Sequence, residues 1–270
     1  MSWLADPFAF AFFRNGLAVA VIAGALCGLV GAFVVVRGMS YLGHGLSHAV
    51  FGGAALGATA GIAYYPAAGA WGIGSALLIG RLGGRKLLHS DAAIGVVSTA
   101  SFAIGVVALA LWGQASRGID AVLFGSILGV DRTDVAIVAV IAVGIAAVIA
   151  RRYRALLFTS FDPDVAEAAG VPIHRIDALL MVLLALAVLG TMQVIGAVLV
   201  SAAIVIPAAT ARQLTDSFGR MLALSTAIGA TAGLIGMIAS YHLNVPSGAT
   251  ITLVAAAGFV LAAVARALRG

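Results

Sequence analysis

The sequence predicts an all-α fold, a polytopic bundle of about nine membrane-spanning helices. Of its 270 residues, 63% are hydrophobic and only 9% are charged, and the mean hydropathy is +1.15. This composition is typical of an integral membrane protein and excludes an ordinary water-soluble domain. Because a spanning helix needs about 20 apolar residues, the chain has room for eight or nine spans and little else. We therefore expect residues 1–270 to form a single transmembrane domain.

Nine apolar runs are the predicted spans. They cover residues 16–36, 40–62, 66–80, 93–113, 133–150, 177–190, 193–211, 221–241 and 249–265. The boundary between the sixth and seventh is the least distinct, and eight spans is the alternative count. The stretch 119–129 is too short to cross a bilayer, so we expect a re-entrant or interfacial helix on the outer side.

Small residues recur at four-residue spacing inside these runs. Examples are Gly24 and Gly28, then Gly53, Gly57 and Gly61, and later Gly229 and Gly233. Such positions let helix backbones approach closely where lipid offers no hydrophobic driving force. We interpret them chiefly as packing positions.

The basic residues predict the orientation in the membrane. With alternating spans, 12 of the 15 basic residues fall on one side: Arg37, Arg81, Arg85, Lys86, Arg151, Arg152, Arg154, Arg175, Arg212, Arg220, Arg266 and Arg269. The other side keeps Arg14, Arg117 and Arg132 beside Asp6, Asp120, Asp131 and Asp134. The positive-inside rule then places the N-terminus outside and the C-terminus in the cytoplasm. Because the charges are dispersed at span ends, the pI near 10 does not indicate nucleic-acid binding.

Two histidines lie four residues apart in the second span, at His44 and His48. Four residues make about one helical turn, so both rings lie on one face, and neutral imidazole is the commonest protein ligand for transition metals. Counting about 1.5 Å per residue from Arg37 puts both near the middle of the membrane. The pattern predicts a metal site, the alternative being hydrogen bonds from each ring to a neighbouring helix or to Ser47.

Several function classes lack the residues that they need. The only glutamate, Glu167, lies in a predicted loop, and the aspartates all fall in predicted loops or at span ends. No carboxylate at mid-membrane is therefore available for proton or sodium coupling. A zinc protease motif would need a glutamate after His44, where this chain has Gly45. The single cysteine, Cys27, excludes a disulfide within the chain. The sole lysine, Lys86, is not part of a phosphate-binding loop, so we expect no ATPase and no other enzyme activity in this chain.

One predicted cytoplasmic loop has clear helix signals. Asp162 can cap a helix that begins with Pro163, and Gly170 and Pro172 end it. On the residues alone this helix is either a surface connector or a docking element for a cytoplasmic partner.

Four segments in order resemble the permease subunits of bacterial zinc and manganese ABC transporters. They are residues 37–50, 161–172, 200–212 and 245–251. The resemblance implies a metal- or cobalamin-type ABC importer architecture in the bacterial plasma membrane and a permease homodimer. It also implies two ATP-binding subunits at the cytoplasmic face and an extracytoplasmic metal-binding protein. The helix near 163–169 resembles the coupling helix, so the implied ATPase-coupling residues are Asp162, Pro163, Asp164, Glu167 and Gly170.

The second span departs from the family pattern at one residue. Where relatives usually have Gly-Asp-x-x-Ser-His, this chain has His44 at the place of the aspartate and keeps His48. Both are expected to contact the transported ion. Imidazole in place of carboxylate favours Zn²⁺ over Mn²⁺. We therefore expect Zn²⁺ as the transported substrate, with no permanently bound cofactor, and Mn²⁺ or another divalent metal as the alternative.

Two further residues are candidates. His242, at the outer end of the eighth span, is a candidate to receive metal from the binding protein. Pro207 should kink the seventh span, either as a bend between inward- and outward-open states or as a fixed structural kink. A siderophore, haem or cobalamin ABC permease and an ATP-independent secondary transporter are the rival functions.

Overall fold

The computed structural model describes residues 6–84, 90–112, 123–126 and 129–268. Within these ranges the chain forms ten α-helices and no strand, which confirms the predicted all-α class. The helices are α1 (Ala11–Val36), α2 (Ser40–Thr59), α3 (Tyr64–Gly84), α4 (Ser90–Trp112), α5 (Arg132–Phe161), α6 (Pro163–Ala168), α7 (Ile173–Ile195), α8 (Val200–Leu214), α9 (Phe218–Leu243) and α10 (Ser247–Ala267). Arg85, Lys86, Arg117, Asp120 and Arg269, which entered the prediction of orientation, lie outside the described residues.

Helix α1 lies at the centre of the bundle and packs against α5, α7, α8 and α9. Its contact with α9 is close because glycines face each other, and the Ser225 hydroxyl donates to the carbonyl oxygen of Gly28 at 2.7 Å. Helix α7 is also largely buried. The two histidine-bearing turns belong to α2, which packs against α3 and α4 on one side of this core.

The break between the sixth and seventh predicted spans lies later than expected. Helix α7 continues through Gly190 to Ile195, and the chain turns at Gly196, whose φ is +88°. Gly190 stays helical because it is buried against Leu26 and Ile141. The predicted boundary at 190–193 is therefore wrong by a few residues.

Helix α5 is longer than the apolar run that predicted it. It begins at a reciprocal cap, in which Asp131 and Asp134 each accept a hydrogen bond from the other's backbone amide. Its last three turns carry exposed arginines and end at Phe161, directly before α6. The extension brings the end of α5 to the predicted docking element.

Six helices are long and apolar enough to cross a membrane: α1, the Asp91–Trp112 part of α4, α5, α7, α9 and α10. Helix α8 is apolar but shorter, and the glycines and polar side chains of α2 and α3 lower their hydropathy. The count of nine crossings stays a prediction.

Only part of the stretch 119–129 belongs to the described residues. Residues 123–126 lie across the turn between α7 and α8, where Val198 N donates to Leu123 O at 3.2 Å and Ser126 N donates to Gln193 O at 2.9 Å. Gly125 has a φ of +78°, and an added Cβ would meet the Val194 carbonyl. These contacts attach the segment to the bundle, and its predicted interfacial or re-entrant role remains a prediction.

Candidate functional site: the histidine pair of the second helix

The histidine pair lies in the second and third turns of α2. Gly38, with a φ of +66°, ends α1 and lets the chain reverse before α2 begins at Ser40. His44 and His48 then fall on one face of the helix, as the spacing predicts, and both are half-buried. Gly45 permits α4 to pack closely, since a Cβ there would lie 2.4 Å from the Ile94 side chain.

The two imidazoles meet through the same ring atom. Nε2 of His48 lies 3.2 Å from Nε2 of His44, and the rings are nearly perpendicular, with centroids 4.6 Å apart. When no ion is bound, one Nε2 of such a pair carries a hydrogen and donates a hydrogen bond to the other. If a metal ion replaces that hydrogen, the two Nε2 atoms are close enough to be ligands of the same ion.

This separation suits two ligands of one metal ion. Zn–N bonds of about 2.05 Å place two nitrogens about 3.3 Å apart in a tetrahedron, or about 2.9 Å apart as neighbours in an octahedron. The observed 3.2 Å lies between these values. The geometry therefore accommodates a small divalent cation without selecting one coordination number.

Aromatic rings border the pair on both sides. Tyr41 lies against His44 with ring centroids 5.8 Å apart, and Phe102 of α4 lies against His48 at 4.9 Å. The Ser47 hydroxyl bonds to the carbonyl of His44 rather than to a ring, which removes that form of the hydrogen-bonding alternative. Nδ1 of His48 is buried and has no hydrogen-bond partner among the described residues. The two Nε2 atoms are thus the polar centre of a largely apolar site.

In the part of the chain that the structure describes, the pair supplies two of the ligands that a metal ion needs. Within the described ranges, no three His, Cys, Asp or Glu side chains lie close enough to bind one ion. His242 is not grouped with the pair, and it sits in the last turn of α9 with its ring against Tyr241.

The predicted docking element forms the short helix α6. The Asp162 carboxylate accepts a hydrogen bond from the Val165 amide at 3.0 Å, and Pro163 is its first residue, as the signals predict. Gly170 ends the turn with a φ of +81°. Most of α6 is exposed, including Asp164 and Glu167, and Ala166 is its buried residue. The helix is held at one point and presents the rest of its surface outward.

Pro207 lies inside α8, which is assigned as one continuous helix from Val200 to Leu214. Its side chain is buried, and α8 packs against α1, α9 and α10. The predicted bending of this helix between two states remains a prediction.

Arg37 belongs to a polar cluster that the sequence reasoning missed. We interpreted it only as a topology signal, yet its guanidinium bonds to Thr159, Ser160 and Asp177. These partners are 122 to 140 residues away along the chain. No local pattern could have indicated the cluster.

Comparisons with known proteins agree with this architecture. The family model described as the ABC 3 transport family matches residues 9–266. The manganese transport system membrane protein MntC of Listeria monocytogenes is 35% identical over 262 residues, covering 97% of this chain and 93% of that protein. A Haemophilus influenzae protein named "Probable iron transport system membrane protein" is 37% identical over 260 residues, which are 96% of each chain.

A solved structure is similar over nearly the whole chain. The structure of PsaBC from Streptococcus pneumoniae in complex with Fab has a TM-score of 0.88 and 36% identity, covering 97% of this chain and 94% of that one. The family match and the relatives' identities each extend over more than nine-tenths of the sequence. The chain therefore belongs to the ABC 3 transport family and is a multi-pass membrane permease of the ABC transporter class.

Proposed function

We propose that this chain is the membrane subunit of an ATP-driven importer of divalent transition metal ions, with Mn²⁺ the best-supported cargo. The names of its relatives carry this choice, since they include manganese and iron transport proteins. Our sequence prediction of Zn²⁺ finds no such support, and the manganese alternative fits the comparisons better. The chain itself is a transporter subunit, and ATP is hydrolysed in a partner chain.

The single observation that best supports a metal ion as the cargo is the geometry of His44 and His48. Two Nε2 atoms 3.2 Å apart can share one small ion, whereas a bulky siderophore, haem or cobalamin gains nothing from such a pair. The surrounding apolar rings keep competing polar groups away from the site. A bare cation is therefore the cargo that this site fits.

A second copy of the chain would complete the site. Most soluble and membrane homo-oligomers have two-fold symmetry, which would double the pair to four imidazoles facing a shared path. Two further imidazoles would add to the two ligands that the described residues of one chain bring together. We propose a homodimer in the plasma membrane, with the N-terminus outside and the C-terminus in the cytoplasm.

The other proposed partners follow from family membership and from α6. Two ATP-binding subunits would dock at the cytoplasmic face against the exposed surface of α6. Asp162 caps the N-terminus of this helix, and the chain turns at Gly170 after its end. An extracytoplasmic binding protein would deliver the metal, and His242 at the end of α9 is a candidate to receive it. Bending of α8 at Pro207 would contribute to alternating access.

One observation favours zinc as a second candidate. His44 supplies an imidazole nitrogen where the family pattern has a carboxylate oxygen, and imidazole suits Zn²⁺ better than Mn²⁺. A given protein site with nitrogen, oxygen or sulfur ligands also binds Zn²⁺ more tightly than Mn²⁺ in general. Transport needs release as well as binding, so affinity alone does not choose between the two ions.

The test is uptake of ⁵⁴Mn²⁺, ⁵⁵Fe²⁺ and ⁶⁵Zn²⁺ into proteoliposomes holding the permease with its ATPase and binding protein. We expect ATP-dependent manganese uptake that excess unlabelled zinc inhibits. Uptake of zinc but not manganese would favour the second candidate. ATP-independent uptake by the permease alone, driven by a proton gradient, would contradict the proposal and favour a secondary transporter.

A further inference from the structure

The Arg37 side chain joins three helices at one end of the bundle. Its Nε donates to Ser160 Oγ at 2.8 Å, its Nη2 donates to Thr159 Oγ1 at 2.6 Å, and its Nη1 pairs with Asp177 Oδ1. The side chain is 9% exposed. The guanidinium is therefore held from two directions, although the Asp177 side chain is 43% exposed. Charge-assisted hydrogen bonds are roughly twice as strong as neutral ones.

The partners of Arg37 lie on both sides of α6. Thr159 and Ser160 belong to the last turn of α5, directly before Asp162, and Asp177 belongs to the second turn of α7. The short α6 is the chain's only path between these two helices. A displacement of α6 therefore acts on the end of α5 and the start of α7, which are the two helix ends that Arg37 binds.

The backbone of Arg37 leads directly to the histidine pair. Arg37 N bonds to Phe33 O at 3.1 Å, and Met39 N bonds to Val34 O at 2.9 Å, so the turn after α1 is tightly fixed. Three residues after Arg37, α2 begins at Ser40, and His44 follows one turn later. A displacement of Arg37 is thus passed to the first turn of α2 through a short, bonded connection.

We propose that Arg37 is a positioning residue that transmits movement of α6 to the His44–His48 pair. The inference rests on the proposed function, because it takes α6 as the place where the ATPase acts. Only arginine has a planar fork of donors that can hold two helices at once, since lysine offers a single compact charge. The bonds to α5 and α7 form one end of the link, and the turn into α2 forms the other.

The matched control is Arg266 of α10. Like Arg37 it is an arginine near a helix end, but it makes one exposed bond, from Nη1 to Gln213 Oε1 at 3.1 Å. It belongs neither to the two helices that α6 connects nor to the segment that precedes α2. Arg266→Gln removes the same charge and leaves the proposed link intact.

The experiment measures movement of α2 directly. In a Cys27→Ala background, Tyr41→Cys places a thiol at a position that is 55% exposed beside His44. We expect ATP binding to change its labelling rate in the assembled transporter, and Arg37→Gln to abolish most of that change, by about 5-fold or more for a coupling of typical size. Arg266→Gln should leave the change as it is. A change that persists undiminished in Arg37→Gln would overturn the proposal.

A second pair of substitutions covers failure of Arg37→Gln to fold. Asp177→Asn and Thr159→Val keep the shapes of the partners but remove the charge or the hydroxyl, so the double variant should reproduce the uncoupling in a folded protein. Metal import per ATP hydrolysed should fall by about tenfold, with ATP hydrolysis retained. Parallel loss of import and hydrolysis would indicate a purely structural role and contradict the inference. Import by the unmodified transporter tests the proposed function, so the two proposals can fail separately.

Discussion

Gly24 of α1 and Gly229 of α9 touch through their backbones. A Cβ on Gly24 would lie 2.1 Å from the carbonyl oxygen of Gly229, and a Cβ on Gly229 would lie 2.0 Å from the carbonyl oxygen of Gly24. Such distances leave no space for a side chain on either helix. The packing of the central helix therefore depends on these two positions having no Cβ.

Gly24→Ala should destabilise the permease because α1 and α9 would have to separate. Overpacking of this kind costs about 1–3 kcal/mol, and each kcal/mol lowers the melting temperature of a chain of this size by about 2–4 °C. Thermal unfolding of the purified protein in detergent measures the effect. Gly144→Ala in α5 is the matched control, because a Cβ there meets nothing within 4 Å. Equal stability of both variants would show that the contact does not matter.

Much of this architecture follows from the sequence, and the reasons are visible in particular residues. Hydrophobic runs predicted the helices because a spanning helix carries apolar side chains both where it packs against other helices and where it faces lipid. The Asp162–Pro163 and Gly170 signals predicted α6 because capping is a local interaction. The spacing of His44 and His48 predicted a shared face because it depends only on helix geometry.

Other features depend on contacts that a linear pattern does not contain. The chain has 34 glycines, and nothing local distinguishes Gly196, which ends α7, from Gly190, which is helical. The end of α5 at Phe161 lies beyond its apolar run because arginines can extend from a helix into water. The Arg37 cluster unites residues far apart in sequence, so only the tertiary structure reveals it.

Val165→Glu should weaken assembly with the ATPase subunit. Val165 is an apolar side chain on α6 that is 50% exposed, and a charge there would be unfavourable in a closed interface. We expect affinity for the ATPase to fall by about tenfold or more, as for loss of a central apolar contact. Binding in detergent can be followed by co-purification and titration.

The control for this variant is Leu214→Glu at the end of α8. Leu214 is 49% exposed and apolar, and it lies on the same predicted cytoplasmic side but belongs to α8. Assembly should be nearly unaffected by this substitution. Equal loss of assembly in both variants would indicate a general effect of added charge and would argue against docking at α6.

His44→Asp should move metal preference towards manganese. The substitution replaces a nitrogen ligand by a carboxylate oxygen, which Mn²⁺ prefers, and it adds a negative charge to the site. Competition between ⁵⁴Mn²⁺ and ⁶⁵Zn²⁺ in the complete transporter gives the ratio of the two uptakes. A ratio identical to that of the unmodified transporter would mean that His44 does not contact the ion.

Single cysteines should report the predicted orientation. In a Cys27→Ala background, Asp216→Cys lies in the exposed α8–α9 connection, and Leu243→Cys lies at the exposed opposite end of α9. A membrane-impermeant thiol reagent applied to whole cells should label position 243 but not position 216. The reverse pattern would invert the proposed topology.

The most direct test of the central claim is metal uptake by the double variant His44→Ala, His48→Ala in the fully assembled transporter. Both Nε2 atoms are removed, while the small side chains keep α2 helical. We predict that ATP-dependent uptake of Mn²⁺ and Zn²⁺ is lost and that assembly with the ATPase is retained. Unchanged uptake of either ion by the assembled double variant would contradict the role of the histidine pair as the metal pathway.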